Sequence, residues 1–143
     1  MTVDAVLMYA QRGHGKRSSF YSDYTFGLWT EDDAGPQLVP VGKAYFGFTD
    51  EELYVLIAPR RTLDRRKASG EMLSPVESDR VQRIERIWAH GVRVFGEPER
   101  FARWLRSEIA ALDDARPIDL LTSETGAQIV SEEIGRIDYG MLA

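Results

Sequence analysis

Few residues in this chain are of types that could do chemistry, and their spacing decides what they can do. Gly13-His14-Gly15-Lys16-Arg17 lies in a glycine-rich basic loop, Gln11 to Ser19. Glycines let backbone N–H groups approach an anion, and flanking cations add charge, so the loop can be read as a phosphate contact. The bland reading is a solvated hairpin loop, because the spacing is not that of a phosphate loop and no helix follows. A second cluster, Arg60, Arg61, Arg65, Arg66 and Lys67, is opposed in its own stretch only by Asp64. Five cations on one short helix make a candidate DNA-binding face. The alternative is a solvated basic helix that pairs with the acidic remainder. His90 has no second ligand near it, and His14 is the other histidine, so neither reads as metal-binding or catalytic. Without cysteine there is no disulfide framework, thiol nucleophile or Cys-ligated zinc. The expectation is a protein that is not an enzyme and uses no metal or cofactor.

The elements that must position these groups are bounded by composition. At 143 residues the chain fits one ordinary domain or two very small ones. Apolar content of 43% and charged content of 29% are globular values and exclude wholesale disorder. A net charge of −5 argues against a uniformly nucleic-acid-coating protein but leaves room for a local basic patch. No apolar run approaches the ~18 residues of a membrane span, and no signal pattern opens the chain. The expected location is cytoplasmic.

Ten of the fifteen aromatic residues precede Val55, and the chain changes character near Thr49. Val6 to Ala10 is an apolar run of strand length, Tyr24 to Thr30 alternates with period two, and Leu38 to Val41 resumes an extended segment after a turn at Glu31 to Pro36. Together they predict a three-stranded antiparallel meander. From Thr49 the period becomes helical. Thr49-Asp50-Glu51-Glu52 and Ser74-Pro75-Val76-Glu77 are capping boxes in sequence. Arg60 to Lys67 follows Pro59 as a helix, Gly96 can end the longest helix, and Pro98 starts the next. Ile118 to Leu121 is a single apolar turn. Thr122 or Ser123 caps a final helix, Glu124 to Tyr139, followed by an uncharged tail, Gly140-Met141-Leu142-Ala143. The expected fold class is α+β, a meander followed by an all-α domain.

Two resemblances sharpen this reading. Ala5-Val6-Leu7-Met8-Tyr9-Ala10-Gln11-Arg12-Gly13-His14-Gly15-Lys16-Arg17, then Tyr21-Ser22-Asp23-Tyr24-Thr25-Phe26-Gly27, then Val41-Gly42-Lys43-Ala44-Tyr45-Phe46-Gly47 resemble the start of the OB domain of bacterial ATP-dependent DNA ligases. The resemblance implies a partial OB-like meander over roughly 3–53. Such ligases need a Lys-x-Asp-Gly motif, and none of the segments beginning at Lys16, Lys43 or Lys67 supplies it. Ligation is not expected. A nucleic-acid-binding fragment, with Arg12 to Arg17 as cations and Tyr21, Tyr24 and Trp29 as stacking aromatics, is the second hypothesis for this chain.

From Thr49 onward the chain resembles the Xre/MbcA/ParS antitoxins. The carrying strings are Leu56-Ile57-Ala58-Pro59-Arg60-Arg61-Thr62-Leu63, Leu73-Ser74-Pro75-Val76-Glu77, Val94-Phe95-Gly96-Glu97-Pro98, Arg116-Pro117-Ile118-Asp119-Leu120-Leu121 and Ile134-Gly135-Arg136-Ile137-Asp138-Tyr139-Gly140. The resemblance implies a type II antitoxin that binds a RES-type, NAD-degrading toxin and blocks its active site with the C-terminal tail. It also implies operator DNA binding by a helix-turn-helix. The implied toxin-binding residues are Arg136, Asp138, Tyr139, Gly140, Met141, Leu142 and Ala143. The implied DNA-binding residues are Arg60, Arg61, Arg65, Arg66 and Lys67. Three segments result: 1–48 ligase-like, 49–72 a helix-turn-helix remnant, and 73–143 toxin-binding. Exposed strand edges in the first would pair between copies, so a homo-oligomer is expected.

Overall fold

A computed structural model describes residues 5–7, 24, 26–32, 35–40 and 47–142. The basic loop Arg12 to Arg17, His14 and Tyr21 lie outside the described residues, as do Ala143 and the side chain of Trp29. The chain divides into two compact units, Met1–Gln82 and Arg83–Ala143.

In the first unit, α1 (Asp50–Leu56) and α2 (Arg60–Ser69) are joined by Ile57-Ala58-Pro59. Thr49 begins α1 with both halves of a capping box: its hydroxyl accepts from the Glu52 amide at 3.2 Å, and its own amide donates to the Glu52 carboxylate at 2.8 Å. Gly70 ends α2 in the left-handed region at φ 71°, and its amide bonds back to the Arg66 carbonyl. Ser74 opens α3 (Pro75–Phe95) with the same reciprocal bonds to Glu77, at 3.1 and 2.9 Å. The interior of this unit holds Phe48, Leu53, Ile57 and Leu63, all without solvent exposure.

The second unit takes α3 from Arg83 onward, then α4 (Pro98–Leu105), two short 3-10 turns (Ala110–Leu112 and Pro117–Thr122) and α5 (Glu124–Leu142). Pro98 enters α4 at its first turn, where no amide is missed. Phe101 is the aromatic centre, with ring centroids 5.4 Å from Trp88, 5.3 Å from Phe95 and 5.9 Å from Trp104. Gly91 makes this possible: a Cβ there would stand 2.0 Å from the Phe101 ring.

The α+β expectation, with its partial OB-like meander as a layer, is corrected to an all-helical fold. From Asp50 to Leu142 the elements are helices. In both units the described buried side chains stand on helices or the turns between them, Tyr24, Phe26 and Phe48 excepted. The extended N-terminal chain contributes short pieces, β1 (Ala5–Leu7), β2 (Phe26–Asp32) and β3 (Gly35–Pro40), paired antiparallel in that order. A three-stranded sheet of this size needs an apolar face or a packed helix for stability. Fold class follows the elements that carry the core.

The tail is a second correction. Gly140, Met141 and Leu142 continue α5 instead of leaving it. Glycine stops a helix by turning to positive φ, and Gly140 does not. Met and Leu after it are good helix formers.

Candidate functional site

Each unit presents one surface of interest. In the first, the five cations of α2 are placed unequally. The Arg66 guanidinium sits 3.1 Å from Glu77 and 3.6 Å from Glu71, and its side chain is 15% exposed. Glu77 thus closes the Ser74 capping box and holds Arg66 at once. Arg60 approaches Asp64 at 3.5 Å. Lys67 lies over the Tyr24 ring, 5.5 Å from its centroid. Arg61 and Arg65 are exposed.

Tyr24 ties the N-terminal segment to this helix. Its hydroxyl donates to the Asp64 carboxylate at 2.5 Å and lies 3.0 Å from the Tyr54 hydroxyl, the two rings meeting edge to face. That bond, helped by Arg60 and Lys67 against the opposing effect of burial, holds the Asp64 carboxyl below its usual range. Burial and the same bond push the Tyr24 phenol well above its ordinary value. At the far end of α1, Arg80 donates to the Ile57 carbonyl at 2.9 Å and satisfies a carbonyl that the helix leaves open.

The second surface is the outer face of α5. Ser123 caps the helix by accepting from the Gly126 amide at 2.9 Å, so of the two residues expected as cap it is Ser123 that serves. Ala127, Val130 and Ile134 form the buried stripe. On the other side Ile129, Glu132, Arg136 and Tyr139 recur at intervals of three and four, and Tyr139 is 78% exposed. Glu132, Gly135, Arg136, Tyr139 and Gly140 line an open groove of about 590 Å³. Arg136 pairs with the buried Glu133 at 2.7 Å, and Asp138 is exposed. A Cβ on Gly126 would stand 1.9 Å from the Leu120 carbonyl oxygen, so the chain's own packing requires that glycine. At Gly135 and Gly140 a Cβ would meet nothing within 4 Å.

A smaller cavity of about 460 Å³ lies between α3 and α5, lined by Arg86, His90, Glu124, Gln128 and Ser131 among others. Glu124 is held by Arg83 at 3.2 Å and Arg86 at 2.9 Å. Burial alone would raise its carboxyl, but these two cations outweigh it and keep the group below its usual range. Burial, then the charge of Arg93, lowers the His90 imidazole, with Asp138 opposing. Among the described residues no three potential ligands gather around a metal position, and no helix is long and apolar enough to cross a membrane.

The first unit thus holds a short helix pair, α1 and α2, and the second ends in a helix with an exposed outer face. Residues 43–86 match the antitoxin Xre-like helix-turn-helix domain, and residues 90–140 match the antitoxin Xre/MbcA/ParS C-terminal toxin-binding domain. Between them these matches make residues 43–140 similar to the Xre/MbcA/ParS antitoxins. Similar proteins include Antitoxin Xre of Yersinia enterocolitica, 34% identical over 59% of this chain and 58% of the relative. Antitoxin Xre of Photorhabdus laumondii is 32% identical over 58% of this chain and 57% of the relative. The chain therefore spans less than three fifths of the length of these curated relatives. The N-terminal part is similar to a probable DNA ligase of Opitutus terrae, 48% identical over 52 residues, which are 36% of this chain and 5% of that protein.

Sequence reasoning did not find the Tyr24–Asp64 bond, which joins residues 40 positions apart, or the diversion of Arg66 to Glu77. Gly91 was findable: a glycine inside an amphipathic helix signals close approach.

Proposed function

We propose that this chain is the antitoxin of a type II toxin–antitoxin pair, and that it holds its toxin on the outer face of α5. The observation that carries the reading is the pair Gly135 and Gly140. A glycine in a helix interior costs about 1 kcal/mol relative to alanine. Among the described residues, no atom lies within 4 Å of where a Cβ would stand at either position, and Gly135 is interior to α5. Close approach by another protein's backbone or side chain is a physical reason to keep them. The exposed Tyr139 beside them is the type of side chain that anchors interfaces. Arg136, Asp138 and the last turn of α5 complete the surface. The resemblance that names the family points to a RES-type, NAD-degrading toxin, whose site the last residues through Ala143 would occlude.

The test is co-expression with a RES-type toxin, capture on an affinity tag and a cellular NAD assay. The reading expects capture with NAD preserved by the full chain. Tyr139→Ala and deletion of Gly140 to Ala143 should each lose protection while keeping the helical circular dichroism of the parent. Full protection by both variants would refute the placement on α5.

A second reading, operator DNA binding by α1 and α2, is favoured by the helix-turn-helix match and by the exposure of Arg61 and Arg65.

A further inference from the structure

The first unit carries an inference that rests on the helix-turn-helix reading and narrows it. In such a motif the second helix lies along DNA, and here that helix is α2. Leu63 turns inward. Arg60, Asp64 and Lys67 run along one flank at steps of four and three, and Arg61, Arg65 and Ala68 run along the outward face at the same steps. The flank is already engaged from within the chain. Tyr24 bonds the Asp64 carboxylate, its ring receives Lys67, and Asp64 in turn holds Arg60. A carboxylate kept ionised at the middle of this flank also repels phosphate. Arg66 is bound to Glu77 and Glu71. Arg61 and Arg65 are exposed, and no described carboxylate pairs with either.

We propose that α2 contacts duplex phosphates through Arg61 and Arg65, and that Tyr24, brought by the N-terminal segment, withdraws the Arg60–Lys67 flank from DNA. The partner is the duplex backbone, recognised by charge complementarity. The ligase-like segment thereby acts on an antitoxin helix: it sets how many cations that helix can offer.

Counterion release makes this measurable, because each phosphate contact adds about 0.9 to the slope of log affinity against log salt. The experiment is a fluorescence-anisotropy titration of the full chain at several salt concentrations. The probe is a labelled duplex from the gene's own upstream region, with a scrambled duplex as control. The double variant Arg61→Ala/Arg65→Ala should reduce the slope by about 1.8, equivalent to roughly a 12-fold smaller loss of affinity across a fourfold salt increase. Arg60→Ala/Lys67→Ala should leave the slope unchanged. Tyr24→Leu keeps an apolar side chain at the buried position but removes both ring and hydroxyl. It should raise the slope by about 0.9 as Lys67 becomes available. An Arg60→Ala/Lys67→Ala loss equal to that of the arginine pair overturns the inference. Binding that none of the variants alters overturns it too, while leaving the helix-turn-helix reading intact. A wild-type chain that binds neither duplex at low salt removes both.

Discussion

Replacing Gly135 by alanine should make this protein more stable and less functional at once. A Cβ at that position meets no atom within 4 Å, so no overpacking term opposes the substitution. Gly135 lies inside α5, well before its end at Leu142. Alanine there recovers the helix propensity that glycine forfeits, about 0.8–1 kcal/mol. In a domain of this size that corresponds to a rise in melting temperature of roughly 3 °C. If a partner approaches closely over Gly135, the added methyl falls in the interface. A loss of about 1.4 kcal/mol there is a tenfold weaker complex. Thermal unfolding by circular dichroism and toxin binding by calorimetry read the two effects separately. Gly91→Ala is the control of opposite sign. Its Cβ would overlap the Phe101 ring at 2.0 Å, where overpacking of about 1–3 kcal/mol falls at the upper end and exceeds the propensity gain. Gly91→Ala should therefore lower the melting temperature. Unchanged toxin affinity in Gly135→Ala, with the stability gain present, would refute the argument from the empty glycines.

Two other outcomes follow from the geometry. The His90 imidazole should titrate below its ordinary value of 6.5 in a carbon-detected NMR titration. A depressed folded-state value means that the unfolded chain takes up the proton first. This contribution to stability is therefore complete above about pH 6.5 and is lost as pH falls from there through the folded value. Ser74→Ala should cost about 1 kcal/mol in urea unfolding, since it removes the hydroxyl that accepts the Glu77 amide.

How far the sequence revealed this molecule depends on whether the information is local. Helix starts were legible because Thr49–Glu52 and Ser74–Glu77 state their own hydrogen bonds, and both pairs form. Gly96 was legible as a stop, and it sits at φ 81°. The alternation from Tyr24 to Thr30 was legible as extended chain, but periodicity says nothing about which elements fill the interior. That is decided by helices from Asp50 onward, so the fold class was misjudged. The five cations of α2 were legible as a cluster. Their partners were not: Glu77 is 11 positions from Arg66, and Tyr24 is 43 from Lys67. The segment from Gly140 was expected as a tail outside the helix, because composition cannot distinguish a helical glycine from a left-handed one. Residues of the candidate face on α5 were implied by the resemblance; what only the structure adds is that a Cβ at Gly135 or Gly140 would meet nothing within 4 Å.

The persistence of α5 to Leu142 bears on how fast and how deeply a partner can be engaged. A helix rises about 1.5 Å per residue, whereas an extended chain reaches about 3.3 Å. From Ile137, the last half-buried residue of the stripe, the five further residues project only about 7.5 Å as a helix, less than half their extended reach. A helical segment of that form is a blunt rod, not a thread. It brings its shape to the encounter already ordered, so little conformational entropy is lost on docking and a long residence time becomes accessible.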